Sequence, residues 1–193
     1  VETYACALSD VYTFGPTFRA ENSHTSRHLS EFWMIEPEIC FATLKDDMDL
    51  AEAYIKYVTK YVLENCKSDL EYFNENVEPE TEFRPGLLER LNNILEKDFT
   101  RMTYSKAIEV LQGNQHNFDE KIVWGMDLGS VQEKYLTELY NGPVIITNYP
   151  KDIKAFYMKV SKDDPRTVEA MDILVPKIGE LAGGSAREEN LEI

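Results

Sequence analysis

Charged side chains flank a short polar loop near the start of the chain. Arg19 and Glu21 come before the loop, and Arg27 and His28 follow it. Guanidinium groups bind phosphate oxygens through paired, planar hydrogen bonds. The runs on either side are apolar and strand-like, and strand side chains alternate, so Arg19 and Glu21 are expected on one surface. This pattern predicts a nucleotide triphosphate site on a β-hairpin, with an arginine at the α-phosphate and a carboxylate near the adenine amino group.

Two carboxylates near the end of the chain predict a magnesium site. Asp172 and Glu180 bracket an apolar strand, and Gly183, Gly184 and Arg187 follow. Magnesium prefers oxygen ligands and often takes one or two carboxylates together with phosphate oxygens. The glycines allow the backbone to approach a ligand closely. Two ordinary surface acids are the alternative that these residues leave open.

The hairpin sequence resembles a known motif. Phe18-Arg-Ala-Glu21, followed by Arg27-His-Leu-Ser-Glu-Phe32, is similar to motif 2 of class II aminoacyl-tRNA synthetases of the aspartate/asparagine branch. Four further blocks resemble the asparaginyl-tRNA synthetases: residues 2–8, 31–38, 148–158 and 179–189. The blocks follow the family order from one end of the chain to the other.

The resemblance implies a role for each motif residue. It makes Arg19 catalytic, as the group that bridges the attacking carboxylate and the α-phosphate. It assigns ATP binding to Arg19, Glu21, Arg27, His28, Phe32 and Glu180, substrate binding to Glu36 and Arg187, and the metal to Asp172 and Glu180. Phe32 would lie under the adenine; a lone phenylalanine in such a strand is more often an ordinary core residue, and the resemblance favours the adenine platform.

The implied activity has two steps. Asparagine reacts with ATP to give asparaginyl-adenylate, and the asparaginyl group is then transferred to tRNA(Asn), with Mg²⁺ as the cofactor and a homodimer as the full-length assembly. Three alternatives stay open: an aspartyl-tRNA synthetase, a related asparagine synthetase that uses ammonia, and a noncatalytic amino-acid-binding paralogue. The chain departs from the family pattern at Val131, Gln132, Lys159, Ala186 and Asn190.

Periodicity predicts the elements that position these residues. Apolar spacing indicates helices over residues 47–65, 87–97, 103–111 and 130–139, and β-branched and aromatic runs indicate strands over 143–148, 155–160 and 168–174. In the first helix, Leu50, Tyr54, Val58, Tyr61 and Val62 are expected to pack on the sheet. The order of elements predicts an α+β fold with a class II synthetase-like, mostly antiparallel sheet flanked by helices.

The resemblance places all of residues 1–193 within a class II catalytic domain. The motif 2 hairpin is expected at about 11–42, a helical segment at about 46–112, and the strands with the substrate and metal cluster at about 143–193. An anticodon-binding domain, motif 1 and motif 3 are not recognisable in the sequence. We therefore expect the chain to be part of a longer catalytic domain, with a shortened paralogue as the alternative.

Composition fits a globular domain. The chain has 193 residues, of which 43% are apolar and 28% charged, and a net charge of −15 that argues against nonspecific binding to nucleic acid. No run has the length of a membrane span, so no membrane partner is expected. The odd set Cys6, Cys40 and Cys66 lacks metal-ligand spacing, which favours reduced, buried thiols and a cytoplasmic location.

Overall fold

The computed structural model describes residues 1–20, 22, 28–77 and 86–192. The chain divides into two compact units, Val1–Ala42 and Thr43–Ile193. Glu21 and Arg27, two of the predicted ATP-binding residues, lie outside the described residues.

The first unit is a short helix followed by a β-hairpin. Helix α1 covers Glu2–Leu8, and strands β1 (Val11–Phe18) and β2 (Glu31–Glu38) pair antiparallel. Residues opposite each other in this pairing share a face. One face is apolar and exposed, with the Phe14 and Trp33 ring centroids 5.1 Å apart. The opposite face carries the pairs Thr17 with Phe32 and Thr13 with Glu36.

The cysteines differ in part from the prediction. All three are free thiols, but Cys6 is exposed and Cys40 and Cys66 are half-buried, so the expectation of buried thiols was wrong. The Cys40 thiol donates to the Ala5 carbonyl oxygen at 3.1 Å, which joins the end of the hairpin to α1.

The second unit contains a four-stranded sheet. Its strands are β3 (Thr100–Thr103), β4 (Val144–Pro150), β5 (Thr167–Val175) and β6 (Gly179–Ser185), in the spatial order β3-β4-β5-β6. β3 and β4 are parallel, and the other two pairs are antiparallel. This arrangement confirms the predicted mostly antiparallel sheet of an α+β fold.

Helices cover both faces of the sheet. They are α2 (Leu44–Asn65), α3 (Lys67–Asn76), α4 (Leu87–Glu96), α5 (Tyr104–Gly113) and α6 (Ser130–Leu139). Alternate residues of β4 and β5 point to opposite faces. On one face, Ile145 and Ile173 pack with Ile55 of α2, and on the other, Ile146 packs in a cluster with side chains of α5 and α6. Among the described residues, no helix is long and apolar enough to span a membrane.

Helix α2 packs with a different face from the one predicted. Leu50, Tyr54 and Tyr61, which were expected on the sheet, are 37%, 41% and 55% exposed. Leu44 and Ile55 are buried instead, with Met48 and Ala51 packed beside them. The helix carries apolar side chains on two faces, and the face without tyrosines packs against Ile145 of β4 and Ile173 of β5.

The predicted strand over residues 155–160 was also wrong. This segment makes only two isolated β-bridges, Met158 with Arg187 and Val160 with Val168. The two partners belong to different parts of the chain, so no continuous ladder forms. The segment lies beside both β5 and the residues that follow β6.

Candidate functional site

The hairpin arranges three of the predicted residues along one face. The Arg19 guanidinium carbon lies 5.3 Å from the centroid of the Phe32 ring, a cation–π contact. The Arg19 amide donates to the Ser30 carbonyl oxygen at 3.0 Å and so extends the hairpin pairing beyond β1. Phe32 pairs with Thr17, and Glu36 lies four residues further along β2 on the same face.

Glu36 and His28 differ in how they are held. The Thr13 hydroxyl donates to Glu36 Oε2 at 3.0 Å across the hairpin, which fixes that carboxylate on the face of Phe32. His28 is exposed at the loop end of the hairpin. A guanidinium, an aromatic ring and a carboxylate on one exposed surface can bind phosphate, a nucleobase face and an ammonium group respectively.

In the second unit, β5 and β6 bring the two predicted metal ligands together. Asp172 pairs with Gly183 across the two strands. A Cβ atom added at Gly183 would lie 3.1 Å from Asp172 Oδ1 and 3.3 Å from Glu180 Oε1. Both carboxylates therefore face the same small space, which exists because residue 183 has no side chain.

Lys154 and Tyr149 complete the surroundings of Asp172. Lys154 Nζ donates to Asp172 Oδ2 at 2.7 Å and lies 4.0 Å from the centroid of the Tyr149 ring. Burial raises the pKa of Tyr149 well above its ordinary value, and the charge and hydrogen bond of Asp172 raise it further. The Tyr149 phenol therefore stays neutral beside the carboxylates.

Glu133 is a third carboxylate beside this cluster. It lies in the first turn of α6, is 7% exposed, and its Oε2 accepts a hydrogen bond from the Glu180 amide at 3.2 Å. Sequence reasoning gave no role to Glu133, Lys154 or Tyr149. The signals were available, because Lys154 and Tyr149 lie in the conspicuous 148–158 block and Glu133 ends the segment that departs from the family pattern.

The carboxylate pair fits magnesium better than a metal bound by protein ligands alone. Among residues 1–20, 22, 28–77 and 86–192, no group of three or more His, Cys, Asp and Glu side chains is arranged to hold a metal ion. Asp172 and Glu180 converge as two oxygen donors. Magnesium accepts one or two carboxylates when water and phosphate oxygens supply the rest of its octahedron.

Arg187 is held beside β6 by backbone and aromatic contacts. It forms a β-bridge with Met158, its guanidinium carbon lies 5.1 Å from the Tyr157 ring centroid, and it donates to the Ser185 carbonyl oxygen at 3.2 Å and to the Ser185 hydroxyl. Lys159, one of the departures from the family pattern, pairs with Glu189 at 2.6 Å. That ammonium is thus used in a surface ion pair.

Comparison with known proteins decides the family. The profile described as tRNA synthetases class II (D, K and N) matches residues 2–193. The chain belongs to this class II tRNA synthetase family. The resemblance of the hairpin and of the later blocks is thereby confirmed, as is the class II fold.

Relatives of this class II synthetase chain include asparagine-tRNA ligases from distant organisms. It is 55% identical over 193 residues to the enzyme of Protochlamydia amoebophila and 59% identical over 194 residues to the chloroplastic/mitochondrial enzyme of Arabidopsis thaliana. These alignments cover 100% of this chain and 40% and 33% of those proteins. The crystal structure of asparaginyl-tRNA synthetase from Pyrococcus horikoshii with asparaginyl-adenylate matches with a TM-score of 0.85 and 39% identity, over 98% of this chain and 40% of that one.

Proposed function

We propose that the complete protein containing this class II synthetase chain activates asparagine with ATP and transfers it to tRNA(Asn). The identity of 55% to 59% with asparagine-tRNA ligases along the whole chain carries this proposal. The chain spans between 33% and 40% of the length of these relatives, so the activity is assigned to the complete protein.

In the proposed first step, a carboxylate oxygen of asparagine bonds to the α-phosphorus of ATP. The bond from that phosphorus to the bridging oxygen breaks, and pyrophosphate leaves. Arg19 holds the α-phosphate and the attacking carboxylate, while Arg27 and His28 hold the leaving phosphates. No side-chain nucleophile is required, because orientation and stabilisation of developing charge lower the barrier.

Separate residues bind the two ends of the reactants. Phe32 supports the adenine ring, and Glu21 accepts a hydrogen bond from the adenine amino group. Glu36 lies near the substrate ammonium, and Arg187 binds the side-chain oxygen of asparagine. The shared face of Arg19, Phe32 and Glu36 on the hairpin supports these assignments.

Asp172 and Glu180 are the proposed holders of Mg²⁺, together with phosphate oxygens of the nucleotide. Magnesium would offset the negative charge of the triphosphate. The convergence of the two carboxylates above Gly183 supports this assignment.

In the proposed second step, a ribose hydroxyl of the terminal adenosine of tRNA(Asn) attacks the asparaginyl carbonyl, and AMP leaves. We propose a homodimer as the assembly of the complete protein. We propose the cytoplasm as its compartment, which the free cysteines support, although the names of similar Arabidopsis proteins include both cytoplasmic and organellar ones.

The test is amino-acid-dependent ATP–pyrophosphate exchange by the complete protein. We expect exchange with asparagine and Mg²⁺, and none when either is omitted. Exchange with aspartate alone would contradict the proposal and assign an aspartate-activating enzyme, either an aspartyl-tRNA synthetase or the related asparagine synthetase. Absence of exchange with both amino acids would contradict it in favour of a noncatalytic paralogue.

A further inference from the structure

Lys154 is a cation that contacts one member of the carboxylate pair, Asp172. Its Nζ lies 2.7 Å from Asp172 Oδ2, and the side chains of Lys154 and Asp172 are only 18% and 12% exposed. The Tyr149 ring lies 4.0 Å from the same nitrogen, so the ammonium is held by a charge on one side and an aromatic face on the other. Lys154 is therefore a fixed part of the cluster rather than a mobile surface lysine.

The ammonium contacts one oxygen of Asp172 and leaves the other directed toward Glu180. Oδ2 accepts from Lys154, whereas Oδ1 faces the space above Gly183, where Glu180 Oε1 also lies. Lys154 thus orients the carboxylate so that Oδ1 and the Glu180 oxygen converge. Its positive charge also repels a divalent cation that enters this space, and the low exposure weakens the screening of that repulsion.

We propose that Lys154 is a positioning residue that keeps the Asp172–Glu180 pair from binding a divalent cation until the phosphates of the nucleotide arrive. The proposal rests on the assignment of this pair to Mg²⁺ under the proposed function. The two carboxylates would attract a dication more strongly if Lys154 did not lie beside Asp172. With Lys154 present, the additional negative charge and oxygen ligands of the phosphates are needed for tight binding.

The experiment measures Mn²⁺ binding to the complete protein by electron paramagnetic resonance, with and without a nonhydrolysable ATP analogue. The variants are Lys154→Met and Lys154→Gln, which remove the charge, and Lys154→Arg, which keeps it. Lys106→Met is the matched control, because Lys106 pairs with Glu109 at 3.0 Å on the exposed side of α5. Loss of Mn²⁺ binding in the Asp172→Asn variant would show that the ion binds at Asp172 and not at other acidic groups of the chain.

Without nucleotide, we expect Lys154→Met and Lys154→Gln to bind Mn²⁺ about tenfold more tightly than the wild type, since one repelling charge is gone. Lys154→Arg and Lys106→Met should bind as the wild type does. The gain in Mn²⁺ affinity caused by the ATP analogue should shrink in the two neutral variants. A lysine that only supported the local structure would give weaker binding when replaced, not tighter.

The circular dichroism spectrum identifies which of the two neutral variants are folded like the wild type. If such a variant bound Mn²⁺ as the wild type does, or more weakly, the proposal for Lys154 would be overturned. If in addition the wild type bound Mn²⁺ with the analogue and Asp172→Asn abolished that binding, the metal assignment itself would stand. If Asp172→Asn bound Mn²⁺ like the wild type, both the metal assignment and the inference would fail.

Discussion

Arg19 is the side chain on which the proposed chemistry depends most. Its contact with the Phe32 ring holds the guanidinium over the hairpin face. Cation–π contact restricts the rotamers of an exposed arginine, so the donor group is partly preorganised before the nucleotide binds.

Replacing Arg19 with alanine should abolish adenylate formation in the complete protein. The loss of the charge proposed to bridge the carboxylate and the α-phosphate should lower the rate of asparagine-dependent pyrophosphate exchange by at least about 10²- to 10³-fold. Arg166→Ala is the control, because Arg166 is exposed and pairs with Asp164 at 2.7 Å. Near-normal exchange by the Arg19→Ala protein would refute its assignment.

Gly183→Ala should weaken the proposed metal site. The new methyl group would press on Asp172 Oδ1 and Glu180 Oε1, at 3.1 and 3.3 Å, and turn the two oxygens away from each other. We expect the affinity for Mn²⁺, measured with the ATP analogue present, to fall by roughly tenfold. Gly113→Ala, where nothing lies within 4 Å of the added atom, should leave this affinity unchanged. Equal affinity in both variants would show that residue 183 has no influence on the site.

Asp164 should remain ionised in unusually acidic solution. Side-chain and backbone hydrogen bonds from Arg166 lower the pKa of Asp164 to about 2. A carboxyl group whose pKa is lowered by folding stabilises the folded turn fully above its unfolded pKa of about 3.9. That contribution disappears as the pH falls toward 2. Carboxyl carbon NMR should give this low pKa, and Arg166→Ala should return it toward the ordinary value. If the pKa of Asp164 were the same in the Arg166→Ala variant, the hydrogen bonds from Arg166 would not be the cause of its low value.

At the scale of elements, Arg101 joins α2 to the edge strand β3. Its guanidinium donates to Asp49 at 2.6 Å and to Glu52 at 2.9 Å, one turn apart on the helix. Burial by itself would raise the pKa of Glu52, but hydrogen bonds from Lys56, Arg101 and the Phe99 amide outweigh it and lower the pKa. Glu52 therefore stabilises this contact above its unfolded pKa and loses that contribution as the pH falls through the folded one.

Arg101→Met should loosen β3 against α2. It removes the charge-assisted hydrogen bond to the half-buried Glu52, at a cost of about 1 kcal/mol after allowance for solvent screening, and the hydrogen bond to the exposed Asp49. Hydrogen exchange should show the β3 amides about fivefold less protected at pH 7, and the difference should narrow in acid. Lys106→Met, which breaks an exposed pair on α5, is the control. Unaltered β3 protection would show that apolar packing alone holds this edge.

Helix boundaries were predicted more accurately than helix faces. Helix α6 occupies residues 130–139 as predicted, because the spacing of its apolar residues fits a helix and no other element. Strand β6 was not predicted, because Gly183 and Gly184 weaken the strand pattern of the sequence. Its antiparallel hydrogen bonds to β5 hold it as a strand in the structure. Glycines can occupy a strand when backbone hydrogen bonds to a neighbouring strand, here β5, hold it in place.

At the scale of the whole molecule, ligand affinity and stability are linked. A stable analogue of asparaginyl-adenylate should raise the melting temperature of the complete protein, because it binds only the folded state. At 100 times its dissociation constant, the stabilisation should be about 2.7 kcal/mol. The aspartyl analogue at equal concentration should give a much smaller shift. Equal shifts would contradict discrimination between the amide and the acid, whatever the result of the exchange assay.

The sequence by itself determined the local patterns and the family. Alternating side chains predicted the hairpin, and the order of the motif blocks indicated the class II synthetases, since both can be read along the chain without knowledge of its folding. The same information named Asp172 and Glu180 as a pair.

Only the tertiary structure decided what surrounds that pair and which face of α2 is buried. Lys154 and Asp172 are 18 residues apart, and Glu133 and Glu180 are 47 apart. Their contacts depend on the register of β4, β5 and β6 and on the packing of α6, which many weak interactions set together. No local pattern encodes such a register, so the contact of Lys154 with Asp172 required the folded chain, although the block that contains Lys154 was conspicuous in the sequence.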